Sequence, residues 1–109
     1  MNTPLQPNFT QIPNVVLDEW LPQLSGSACK VVLFVASRTY GWQKPSGDAI
    51  SVAQIVTGTG LRYSTVVAVC QELKGKGVLL IAAPDATSGH HDARNIYRLN
   101  LDAETPNEH

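Results

Sequence analysis

From Ser51 to Leu73 the chain carries two short helical periodicities separated by a glycine turn, and this arrangement restricts its folding choices more than any other feature. Ser51 is a helix N-cap residue type, and Val52, Ile55 and Val56 behind it fall at i, i+3 and i+4, on one face of a helix. Gly58 and Gly60 are read as its end. Val66, Val69, Cys70 and Leu73 then recur at i, i+3, i+4 and i+7, a stripe suited to packing against earlier helices, with Gly75 and Gly77 as the stop.

Upstream, Pro13 opens a short helix holding Val15, Val16, Leu17, Trp20 and Leu21, and Pro22 closes it. Ser25 caps a longer segment reaching Tyr40, whose apolar residues (Ala28, Val31, Val32, Leu33, Phe34, Val35, Ala36) are nearly continuous, as in the most buried helix of a domain. Gly41 stands where a helix C-terminus favours a residue of positive φ. A loop over 43–48 and a brief strand at Ile50 follow. Downstream, 78–83 is an aliphatic run, 84–93 a polar loop, and Asn95 to Leu101 an alternating run, together two strands of a hairpin. Residues 1–8 read as a flexible arm and 102–109 as a disordered acidic tail, leaving one domain over 9–101.

Composition narrows the function. At 109 residues and 43% hydrophobic content the chain supports a single core. A formal charge of -1 gives no global pull toward phosphate, so nucleic-acid binding has to come from a local basic patch. No segment approaches the ~20 apolar residues of a membrane span, and no leader pattern is visible, so a cytoplasmic location with no membrane partner is expected. Cys29 and Cys70 read as reduced core thiols. His90 and His91 with Asp92 lack a second ligand pair at zinc spacing, so no metal site is expected. Nucleophile elbows, phosphate loops and paired acidic motifs are missing, so the chain reads as a non-enzyme with no cofactor and no small-molecule substrate.

The order helix, helix, helix-turn-helix, hairpin defines a mainly α fold with a small β-hairpin: an α+β winged helix-turn-helix. Ala53 is read as permitting close helix approach, Gly60 as the turn and Leu61 as the plug. The second helix of such a pair presents its N-terminal residues to the major groove of DNA, here Arg62, Tyr63, Ser64 and Thr65. Its outward side continues through Val67, Ala68 and Gln71; an apolar group such as Ala68 suits a thymine methyl, and a glutamine suits adenine. Lys44, Lys74, Lys76 and Arg94 are candidates for phosphate contacts, which position a protein without reading sequence. The alternative for Val67 and Ala68 is a dimer or partner surface.

Phe9-Thr-Gln-Ile-Pro-Asn14, Leu24-Ser-Gly26, Lys30 and, most specifically, Arg38-Thr-Tyr-Gly-Trp42 resemble the N-terminal domain of the phage replication protein O family. The similarity continues through Ile50-Ser51, the helix pair and Arg94-Asn-Ile-Tyr-Arg-Leu-Asn100. It implies a winged-helix module that binds origin DNA during replication initiation of a phage or mobile element. Where the family places a serine cap and arginines along the recognition helix, this chain has Arg62, Val67, Ala68, Val69 and Glu72. Three readings follow: sequence-specific binding of double-stranded DNA in replication, transcriptional regulation on the same fold, and a winged helix used for protein interaction. A homodimer or a replication or transcription protein is the accompanying partner.

Overall fold

The computed structural model describes residues 9–42, 46–82 and 94–101. The expected arm 1–8, the tail 102–109, Lys44, His90 and His91 lie outside them.

The N-terminal helical segment is irregular: a π turn over Val16–Trp20 runs into a 3₁₀ turn over Leu21–Gln23. Pro22 does not stop the chain abruptly, as expected from sequence, because proline is tolerated in a first helical turn, where its missing N–H bonds nothing anyway. Val16 and Trp20 are fully buried while Leu17 and Leu21 stay exposed, so the segment covers one side of the core with a narrow stripe.

Helix α1 spans Gly26–Thr39, and the Ser25 hydroxyl accepts from the Ala28 amide at 3.1 Å to cap it. Val31, Val32, Val35 and Ala36 are buried, which makes α1 the central helix its sequence suggests. Gly41 does not take a positive φ; glycine is required there because a Cβ would stand 2.3 Å from the Ser37 carbonyl oxygen. The motif Arg38–Gly41 thus has structural uses. Arg38 makes an ion pair with Asp48 at 3.0 Å and stacks over the Phe34 ring, buried Thr39 donates its hydroxyl to the Val35 carbonyl, and Gly41 admits the turn.

Strand β1 (Asp48–Ile50) leads into α2 (Val52–Thr59). A full capping box starts α2: the Ser51 hydroxyl accepts from the Gln54 amide, and Gln54 Oε1 accepts from the Ser51 amide at 2.9 Å. Gly58 lies in the last turn of α2, one residue before its end. A Cβ on it would fall 2.1 Å from the Phe34 ring, so the close approach of α1 and α2 is made at Gly58, while Ala53 is exposed at the rim of the depression between them. Gly60, at φ 75°, ends α2, and half-buried Leu61 turns back onto the core.

Helix α3 (Tyr63–Gly75) buries Val66, Val69, Cys70 and Leu73, the stripe read from the sequence. Its C-terminus is a Schellman motif. The Val78 amide donates to the Leu73 carbonyl, the Gly77 amide donates to the Lys74 carbonyl, Gly77 has φ 75°, and Leu73 and Val78 are both buried. Strands β2 (Leu79–Ala82) and β3 (Asn95–Leu99) follow.

The hairpin acquires a third strand, giving an antiparallel sheet in the order β1-β3-β2. Leu79 opposite Leu99 and Ile81 opposite Tyr97 form its inner face, and Leu80 opposite Arg98 and Ala82 opposite Ile96 its outer face. Asn100 fastens the end of β3 to the α3 cap through its amide, which donates to the Val78 carbonyl, and its side chain, which donates to the Gly77 carbonyl. The result is a mainly helical α+β domain with a small sheet, in a winged-helix-like arrangement. No helix of the described residues is long and apolar enough to cross a membrane.

Candidate nucleic-acid interface

The connection from α2 to α3 is Gly60-Leu61-Arg62, and the positive φ of Gly60 swings the chain so that α3 starts on the surface. Arg62 occupies the N-cap of α3 with extended backbone and makes no side-chain cap hydrogen bond. Helix α3 therefore opens with unsatisfied amides, the positive end of its dipole, and a guanidinium beside them. Both favour an anion in front of the helix, and phosphate is the anion DNA presents.

Arg62, Tyr63, Ser64 and Ala68 are exposed and Thr65 is half-buried. Tyr63, with 63% of its surface accessible, is too open to be a core aromatic. Ser64 and Ala68, four positions apart, share the outward side of α3 opposite Val66 and Val69, while Arg62, Tyr63 and Thr65 ring its first turn. From Ser51 to Gln71 the only charged side chain is Arg62, so this half of the helix pair is free of acid although the whole chain is slightly acidic. Five of the nine acids (Asp85, Asp92, Asp102, Glu104, Glu108) belong to segments beyond the described residues.

The basic residues do not all gather at that end. Lys74 and Lys76 are exposed, but they lie at the far end of α3, about 18 to 21 Å along the axis from Arg62 at 1.5 Å per residue. Lys76 is also engaged with Glu72 at 3.2 Å, which offsets its charge. Arg94 is exposed and immediately precedes β3. The hairpin meets the middle of α3 across a cleft of about 210 Å³, in which Asn95 and Ile81 face Val67, Gln71 and Lys74. Arg94 directly precedes Asn95 and does not line that cleft, whereas Lys44 lies outside the described residues.

Two polar residues escaped the sequence reading as site candidates. Asn95 borders the cleft, and Arg98 projects from the outer face of β3. The alternation of Asn95–Leu99 carried the signal for Arg98, since its neighbours Tyr97 and Leu99 are buried. Val67 is half-buried in the cleft, which shrinks the apolar patch it was expected to form with Ala68.

Cys70 belongs to the core, whereas Cys29, expected there as well, is half-buried and outside it. Burial pushes the Cys70 pKa up to about 11 and raises that of Cys29, and both cysteines are free. Burial also raises the Tyr97 pKa, reinforced by Cys70 and opposed by a hydrogen bond with Asn95. Among the described residues no three His, Cys, Asp or Glu side chains gather as a metal site.

A helix-turn-helix with a sheet flanking its second helix defines the class: a small winged-helix-like domain. The profile of the bacteriophage replication protein O family matches residues 3–91, most of the chain, and the protein belongs to that family. No curated protein and no solved structure matches it significantly.

Proposed function

We propose that the domain binds double-stranded DNA sequence-specifically during replication initiation of a phage or mobile element, acting in the cytoplasm by binding rather than catalysis. The observation that carries this reading is the start of α3, an uncapped, acid-free, solvent-facing helix N-terminus with Arg62 at its cap position. Arg62, Tyr63, Ser64, Thr65 and Ala68 enter the major groove, the first two toward phosphate and the groove edge, the others toward base edges. Arg94, with Lys44, Lys74 and Lys76 as further candidates, contacts the backbone from the flanks. Membership of a replication protein family supports the process. A transcriptional regulator would use the same surface, and only the location of the bound site separates the two roles.

The experiment is a footprint on duplexes tiled across the element that encodes the chain. Protection at a discrete site within its replication origin, lost with Arg62→Ala, is expected. Uniform, salt-insensitive failure to bind any tile would contradict the reading, and protection confined to promoters would favour regulation.

A further inference from the structure

In the sheet order β1-β3-β2, strand β2 is an edge, so among the described residues its outward amides and carbonyls have no strand partner. All four of its residues border one groove of about 490 Å³, which extends over the outer face of the sheet. Leu80, Ala82 and Ile96 supply an apolar floor, and Lys74 and Arg98 supply two cations at its sides. Arg98 sits directly opposite Leu80 in the strand register, and Lys74 reaches the same groove from α3. The ion pairs seen among the described residues are Lys76 with Glu72 and Arg38 with Asp48, and neither involves Lys74 or Arg98.

An apolar edge of this kind is a template for strand addition. We propose that the β2 edge and the outer sheet face take up an extended segment of a partner protein in which apolar and acidic side chains alternate. The main chain of that segment pairs with β2, its apolar side chains cover Leu80 and Ile96, and its carboxylates meet Lys74 and Arg98. Charge decides between occupants. A second copy pairing β2 against β2 brings two further cations to the same groove and, among the described residues that line it, no acid, which opposes association. An acidic strand neutralises both. Duplex DNA satisfies the cations but leaves the apolar floor uncovered. The surface is separate from the exposed start of α3 and shares with the proposed DNA contacts only Lys74, so Arg98 variants and the β2 shifts distinguish its failure from a failure of DNA binding.

The test is a titration of the ¹⁵N-labelled full chain with two blocked peptides, one alternating Glu and Val and one alternating Lys and Val, and with a short duplex. Saturable amide shifts concentrated at 79–82 and at Ile96 and Arg98 with the glutamate peptide, and at least tenfold weaker binding of the lysine peptide, are expected. Arg98→Glu together with Lys74→Glu should reverse that preference, and Arg98→Gln alone should weaken the glutamate peptide several-fold, a check that does not depend on the double variant folding. The proposal is overturned if the two peptides bind alike or not at all, if the shifts map elsewhere, if the duplex produces the β2 shifts in preference to the peptide, or if β2 signals broaden with protein concentration alone.

Discussion

Ser51 and Arg62 occupy equivalent positions at the starts of two consecutive helices, and the two starts are built in opposite ways. At α2 a serine and a glutamine close a reciprocal capping box, leaving little for an outside group to bond. At α3 the cap position holds a cation that bonds no helix amide, in front of a dipole that already repels it. Buried residues hold both helices: Ile55 in α2 and Val66, Val69, Cys70 and Leu73 in α3. Packing therefore fixes both, while local helix chemistry is satisfied in one and given up in the other. Local rules broken on a well-packed element are what a binding surface leaves in a sequence.

The largest effects should test the half of the comparison that treats the helices as equally anchored. Ile55→Ala and Leu73→Ala each remove a fully buried side chain, and each should cost about 2 to 5 kcal/mol in urea unfolding. A cost several-fold smaller at Leu73 would mean that α3 is loosely held and that its exposed start reflects fraying. Gly58→Ala should destabilise by about 1 to 3 kcal/mol, although alanine is the better helix former, because the added methyl meets the Phe34 ring. Phe34→Ala in the same background should recover part of that loss.

At the helix starts the sign should differ. Ser51→Ala should lose about 1 kcal/mol, whereas Arg62→Ser, which supplies the missing cap, should gain about 0.5 to 1 kcal/mol; thermal unfolding of the two variants gives both signs. The core thiol gives a pH test. Cys70 has its pKa raised from 9.0 to about 11 in the folded state, so the folded chain holds the proton more tightly, and its contribution is present below pH 9 and lost as pH rises through about 11. Stability should fall across that window, and less steeply in Cys70→Ala measured against its own lower baseline. The smallest effect is expected for Lys76→Ala, which removes an exposed i, i+4 pair with Glu72 and should cost about 0.2 to 0.5 kcal/mol, diminishing with added salt.

Much of this contrast was legible in the sequence because it rests on short-range patterns. The stripe from Val66 to Leu73, the caps at Ser25 and Ser51, and the turn at Gly60 each depend on residues within four positions of one another. What the sequence hid is long-range. The brief strand expected at Ile50 is present as β1, but its pairing with β3, some forty-five positions later, left no local signal. The close packing of Gly58 was also hidden, because nothing local announces that Phe34 lies over it. That Lys74 and Lys76 lie at the end of α3 was legible from spacing, but that Lys74 borders the same groove as β2 was hidden for the same reason.

The account reduces to the proposition that Arg62 sacrifices helix stability at the start of α3 in exchange for contact with DNA. Anisotropy of a labelled duplex carrying the footprinted site, titrated with the wild-type chain and with Arg62→Ser over a series of salt concentrations, tests it most directly. Arg62→Ser should melt higher yet bind the duplex more weakly, with a logarithmic salt slope shallower by about 1, the signature of one lost phosphate contact. A variant that melts higher and binds with unchanged affinity and slope would contradict the account.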